Sequence, residues 1–146
     1  MCGIAAIFNY RNGEPIDRAE LTTIRDAMAL RGPDGFGDWV SADGCVGLGH
    51  RRLSIIDLSP TGAQPMKSAD GSLVVTFNGE IYNYRELRSE LEQQGQRFQS
   101  TSDTEVLLHL YQREGREMVR RLRGMFAFAI WDSLSLIHIS EPTRPY

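Results

Sequence analysis

At 146 residues, 41% hydrophobic and 24% charged, the chain is long enough for one domain with one sizeable core. A formal net charge of −3 argues against nucleic acid or an anionic membrane surface as partner. Two cysteines, Cys2 and Cys45, are too few for a disulfide framework, and no apolar run reaches membrane-spanning length. The chain therefore reads as cytoplasmic, with reduced thiols.

The apolar run Cys2–Phe8 predicts a strand, ended by the turn-like NYRNGEP. Asp17 and Glu20 have capping-box spacing, and Leu21, Ile24, Ala27 and Met28 follow at helical intervals. That helix is expected to stop near Arg31-Gly32-Pro33, because proline disfavours helical geometry in the residue before it. Short strands are predicted around Gly35–Val40, Cys45–His50 and Leu53–Ile56. The loop DLSPTGAQPM follows, then a strand through SLVVTFN. Asn83 with Glu86, and Ser102 with Glu105, open two further helices, which Gly95 and Gly115 end. GMFAFAIWD is apolar almost throughout and is predicted to be a strand buried on both faces. The basic stretch Arg116–Arg123 reads as a solvated helix face. Strands with helices between them, and no repeat, indicate an α/β layered domain.

From Leu134 the text changes to LSLIHISEPTRPY, with neither a turn signal nor continuing periodicity. Leu134 to Glu141 resembles the translated frame of a transposon adapter used in sequencing libraries. Residues 134–146 are therefore expected to be a non-native tail, and His138 is set aside with them. With that tail in place of further strands, Gly124–Trp131 would lack a neighbour on one side. Residues 1–146 alone are expected to fold poorly and to be inactive.

Cys2 is the first residue that could do chemistry. Removal of Met1 would give it a free α-amino group beside its own thiol. The thiolate is the nucleophile, and an α-amino group with a pKa of about 7.7–8.0 can serve as general base at neutral pH. Position alone nonetheless favours a small core residue over a nucleophile. Cys45 reads as a buried strand residue, His50 as a polar strand-end residue rather than a partner for a cysteine, and His109 as structural. No spacing suits zinc, calcium or a phosphate-binding loop.

Asn78-Gly79-Glu80 sets a side-chain amide beside a closely approachable glycine N–H, two donors that could form an oxyanion hole. By itself, Asn-Gly reads as a hairpin turn. In Arg51-Arg52, strand alternation sends the two guanidinium groups to opposite faces, and one of them could hold a carboxylate. Asp103 either caps its helix or receives an ammonium group. A thiol, a base, an oxyanion hole and two charge clamps would together suit a small amino acid with a reactive side-chain carbonyl.

In order and spacing, MCGI, RGPDG, GHRRLSIIDLS, FNGEIYNY, SDTEV and RGMFAFAIWD resemble the glutaminase domain of class B asparagine synthetases, from Cys2 to about Ser133. The resemblance implies an N-terminal-nucleophile hydrolase fold, an α+β four-layer αββα sandwich of antiparallel sheets, incomplete at its C-terminal side. Residues 1–133 would be a partial class II glutamine amidotransferase domain. It further implies that Cys2 attacks the side-chain amide of L-glutamine, with Asn78 and Gly79 as the oxyanion hole. Arg52 would hold the α-carboxylate within a glutamine-binding stretch of Arg52, Leu53, Ser54, Ile55 and Ile56. Glu80 would lie in the same substrate-binding turn, and Asp103 would hold the α-amino group.

No metal or cofactor is implied for this part of the protein. ATP and Mg²⁺ would belong to a synthetase domain of the same full-length chain, which passes ammonia to aspartate, and a homodimer is compatible with the pattern. The stretch RRLSIIDLS separates the chain from glucosamine-phosphate synthase and the phosphoribosyl amidotransferase, and Cys2 separates it from β-lactam synthetases. Leu30 departs from the histidine of many relatives, with no expected loss of chemistry. Alternatives are an amidotransferase of exopolysaccharide clusters with another acceptor, and a non-catalytic glutamine-binding domain.

Overall fold

Three hydrophobic clusters stacked in series set the architecture of the computed structural model, which describes residues 2–11, 13–54 and 59–134 and the backbone of 138–140. Strands β1 (Gly3–Phe8), β2 (Gly35–Val40) and β3 (Val46–Arg52) form an antiparallel sheet in the order β1-β3-β2. Strands β4 (Met66–Lys67), β5 (Leu73–Ile81), β6 (Gly124–Asp132) and β7 (His138–Ser140) form a second, in the order β4-β5-β6-β7. Helix α1 (Arg18–Asp26) covers the first sheet through Ala5, Ile16 and Leu21. Val46, Leu48, Val74 and Ala129 fill the space between the sheets. Helices α2 (Tyr84–Gln93) and α3 (Asp103–Glu114) cover the second sheet through residues such as Leu87, Leu91, Val106, Leu107 and Leu110. The layers are α, β, β, α, as the sandwich expectation holds.

Period-two alternation explains the three clusters. In β5, odd-numbered Leu73, Val75, Phe77 and Ile81 face the helices, whereas Val74 and Thr76 face the other sheet, where Thr76 Oγ1 donates to Gly49 O. In β3, even-numbered Val46 and Leu48 face the second sheet.

Several local expectations meet their reasons here. Asp17 caps α1 by accepting from Ala19 N at 2.8 Å, and Ser102 caps α3 by accepting from Thr104 N at 3.2 Å. Helix α1 ends at Asp26, sooner than predicted, and turns carry the chain on to Pro33. Asn83 does not cap α2: its amide donates to Arg121 O and its Oδ1 accepts from Arg123 N, tying α2 to the start of β6. Cys45 precedes β3 and is half-buried, in a turn where Asp43 Oδ1 accepts from its N–H. No strand forms at Leu53 and Ser54, and Ile55 and Ile56 lie outside the described residues. The loop predicted after them contains a 3-10 turn, Pro60–Gly62, and β4.

Strand β6 is buried only at Phe128, Ala129 and Ile130, while Met125, on the inter-sheet face of Ala129 and Trp131, is 67% exposed where that layer opens into a cavity. Its far edge pairs with β7, Phe128 to Ser140 and Ile130 to His138. Three residues of the tail thus join the sheet, since an open strand edge presents unpaired N–H and C=O groups to any extended segment. The basic stretch forms a 3-10 helix, Gly115–Arg121, in which Arg120 is exposed beside Glu117 and Arg121 pairs with Glu90 and Glu114.

Candidate active site

Alternation also selects which side chains meet at one end of the inter-sheet layer. Cys2 precedes β1 in the even register of Phe8, which packs between the sheets. His50 and Arg52 continue the face of Val46 and Leu48, and Asn78 continues that of Val74 and Thr76. Cys2, Arg52, Asn78, Glu80 and Asp103 line one cavity of about 120 Å³, a size for a small molecule. Leu53, Ser54 and Gly79 border it as well. Arg51, on the opposite face of β3, turns to α1, where its guanidinium pairs with Asp26 at 2.5 Å and lies over the Phe36 ring. The inward arginine is Arg52, whose Nη1 also donates to Ser59 O at 3.0 Å.

The thiol is held by backbone. Leu53 N donates to Cys2 Sγ at 3.3 Å, and the thiol donates to Leu53 O at 3.5 Å. The RGPDG loop fixes that backbone in turn. Asp34 N donates to Arg52 O at 2.9 Å, Ser54 N donates to Asp34 Oδ2 at 2.8 Å, and Arg31 Nε donates to Cys2 O at 3.3 Å. Gly32 runs so close to β3 that a Cβ there would lie 2.3 Å from Arg51 C. The motif thus supports the cavity wall rather than lining it.

Asn78-Gly79 is not a hairpin turn. Both residues lie inside β5 and pair with Ala127 and Phe126 of β6, so the substrate-binding turn expected to include Glu80 is a strand segment. Long-range pairing here overrides a local turn preference. Gly79 has φ +147°, and a Cβ at this position would sit 2.2 Å from Met125 O. In β5 the backbone groups of even residues face β6, as the flanking Tyr82 N–Arg123 O bond shows. Those of odd residues face the other edge, where Leu73 O accepts from Ser68 N. Along that edge Phe77 N donates to Gln64 Oε1 and Ile81 N donates to Asp103 Oδ2. Among the described residues no acceptor takes Gly79 N–H. Asn78 Oδ1 is enclosed without a donor, and no protein acceptor among the described residues takes its Nδ2, which leaves two N–H sources for a ligand.

The two carboxylates in the first turn of α3 differ sharply. Burial pushes the Asp103 carboxyl above its usual range, against the N–H groups of Ile81, Asp103 and Thr104. The Glu80 carboxylate adds to the rise. Asp103 is 4% exposed, so a cation in the cavity would relieve it. Burial also raises Glu105, but His109, the Ser100 hydroxyl and the N–H groups of Gln99 and Ser100 outweigh it and hold it at about 2. Glu105 is therefore already satisfied within the fold.

His50 is fully buried, and burial lowers its pKa to about 4; the bond to Phe77 opposes this and the Arg52 charge adds to it. Its Nε2–H donates to Phe77 O at 3.1 Å, and among the described residues no imidazole hydrogen-bonds to Cys2. His109 packs 4.5 Å from the Phe98 ring with its Nε2 toward Glu105, consistent with a structural role. Gly62, Gln64, Phe77, Ser102, Thr104 and Met125 are cavity residues that sequence reasoning did not place in the site, and the only signal for Gln64 was its position in a turn-rich loop. Among the described residues no group of His, Cys, Asp and Glu is arranged to hold a metal, and no helix is long and apolar enough to cross a membrane.

A sequence profile of the glutamine amidotransferase domain matches residues 1–138. Asparagine synthetase (glutamine-hydrolyzing) 1 of Bacillus subtilis strain 168 is 47% identical over 134 residues, covering 90% of this chain and 21% of that protein. Asparagine synthetase B (glutamine-hydrolyzing) of Escherichia coli strain K12 is 42% identical, covering 91% and 23%. Amidase chry2 of Gibberella zeae is 41% identical, covering 90% and 21%. The chain thus spans about a fifth of the length of these curated relatives. Among solved structures, the glutamine phosphoribosylpyrophosphate amidotransferase from B. subtilis is similar with a TM-score of 0.55 and 26% identity, over 90% of this chain and 29% of that one.

Proposed function

We propose, for a chain that belongs to the glutamine amidotransferase domain family, that it hydrolyses the side-chain amide of L-glutamine to glutamate and ammonia with Cys2 as nucleophile. The observation that carries this reading is one cavity lined by a backbone-held thiol, two unpaired N–H donors, a guanidinium and an under-satisfied buried carboxylate. Arg52 takes the α-carboxylate of glutamine and Asp103 its α-ammonium, with Glu80 adding negative charge. These two clamps present the side-chain amide to Sγ.

Once Met1 is removed, the α-amino group of Cys2 accepts the thiol proton as Sγ bonds to the amide carbon. The carbonyl oxygen becomes an oxyanion received by Asn78 Nδ2 and Gly79 N. The α-ammonium group of Cys2 returns that proton to the amide nitrogen, the C–N bond breaks, ammonia leaves, and a thioester remains. Water attacks the thioester, releasing glutamate and restoring the thiol. The ammonia passes to an ATP- and Mg²⁺-dependent synthetase domain of the full-length protein, which converts aspartate to asparagine. The similarity to the amidase of Gibberella zeae favours a second reading of this last step, in which the acceptor is not aspartate.

The test is Cys2→Ala in the full-length protein, assayed for glutamate and ammonia and for synthesis from added ammonia. Glutamine-dependent turnover should vanish while ammonia-dependent synthesis persists. Hydrolysis at the parent rate, or active protein that retains Met1 by mass spectrometry, would overturn the assignment.

A further inference from the structure

We propose that His50 and Gln64 are positioning residues for this reaction, a pair of side chains that grips both backbone groups of Phe77 and so fixes the donors at Asn78 and Gly79. The inference rests on the amide-hydrolysis reading of the cavity.

Strand β4 pairs with β5 only at Val74 and Val75. Beyond Val75, the edge of β5 away from β6 has no strand partner among the described residues. Buried peptide groups left there without partners would be costly. Gln64 Oε1 accepts from Phe77 N at 2.6 Å, and His50 Nε2–H donates to Phe77 O at 3.1 Å. The carbonyl can only accept, so the imidazole proton resides on Nε2. Two side chains thus do for Phe77 what a neighbouring strand does elsewhere.

Their other attachments tie this residue to both substrate clamps. His50 lies on β3, two residues before Arg52 and on the same face. The amide of Gln64 continues through Nε2 to Thr104 Oγ1 at 3.2 Å, beside Asp103. The grip therefore joins the strand with the oxyanion donors to the elements that carry the guanidinium and the carboxylate. A real strand in this place would put an acceptor opposite Gly79 N–H and consume the donor. Side chains anchor Phe77 and stop one residue pair short.

Loosening this grip should blur donor placement in the transition state while leaving ground-state binding of glutamine largely intact. In the full-length protein, Gln64→Met and His50→Leu should lower kcat for glutamine hydrolysis at least tenfold with KM within threefold. His50→Gln, which keeps an N–H donor, should recover most of the loss. Alkylation of Cys2 by iodoacetamide should proceed at the wild-type rate in each variant, showing that nucleophile and fold are intact. Should His50→Leu fail to fold, Gln64→Met and His50→Gln decide the matter. Amide hydrogen exchange at Phe77 gives a second reading in the wild type, where it should be as slow as at ladder residues such as Thr76. A kcat within twofold of wild type in Gln64→Met, a loss carried wholly by KM, or fast exchange at Phe77 would overturn the proposal. A wild-type protein that does not hydrolyse glutamine would instead overturn the reading on which it rests.

Discussion

The two edges of β5 are held by different means. Along β6 it runs an unbroken ladder, from Leu73 opposite Asp132 to Ile81 opposite Gly124. Along the other edge two residues of β4 give way to side chains from a loop, a strand and a helix: Gln64, His50 and Asp103. A strand offers partners at every second residue and cannot skip one. An edge assembled from side chains can leave a single N–H unmet, and Gly79 is where it does.

Substitution at Gly79 should have the largest effect, because its contacts to the ladder edge leave no room. Gly79→Ala places a Cβ against Met125 O and Phe126 Cα at a positive φ. It should cost about 4 kcal/mol of stability, read from urea unfolding. A loss below about 1 kcal/mol would mean that the ladder edge gives way more easily than the geometry allows.

The open edge should show itself through pH. His50 titrates at about 4 in the fold against an ordinary 6.5, so between these values the unfolded chain binds a proton that the folded chain does not. Stability should therefore fall as pH drops from about 6.5 to 4, by about 3 kcal/mol from this group, and level off below. His50→Gln should remove that component, and an unchanged slope would break the link to the imidazole.

Two carboxylates sharpen the contrast further. Asp103 caps the open edge at Ile81 and is raised by burial, so it opposes folding once ionised. Asp103→Asn should raise the thermal midpoint while weakening glutamine binding. Glu105, held at about 2, stabilises the fold above its ordinary range and loses that contribution as pH falls from about 4.5 to 2. Glu105→Gln should cost about 1–2 kcal/mol at pH 7 and nothing near pH 2. Thermal melts across pH separate the pair. Arg51→Ala, on the face of β3 away from the cavity, should change stability by less than about 1 kcal/mol and leave glutamine use unaltered. A change in KM there would place the wrong arginine in the cavity.

Sequence reasoning reached the features that depend on neighbours in the chain. Asp17 and Ser102 are caps whose partners lie two residues away, and the bounds of β2 follow from its flanking turns. Cys2, Arg52, Asn78, Gly79, Glu80 and Asp103 were legible as one site because their motifs are local, and the fold does bring them to one cavity. Features set by distant partners were not legible. Asn-Gly has a strong turn preference that pairing with β6 outweighs, and Asn83 abandons its capping position for backbone 38 residues away. Gln64 gains its role only through Phe77 and Thr104, 13 and 40 residues on. His50 looked like a polar strand end because nothing near it in sequence reveals the carbonyl that buries it.

The alternation in β3 also constrains how this protein can vary. A single-residue deletion between Val46 and Arg51 would shift the pleat by one, sending Arg51 toward the cavity and Arg52 toward Asp26. His50 would leave Phe77 in the same stroke. Removing two residues restores the parity at the expense of strand length, whereas length changes in the surface turn between β1 and α1 leave it untouched. Among descendants of this sequence, β3 should tolerate exchange of side chains far better than any odd change in their number.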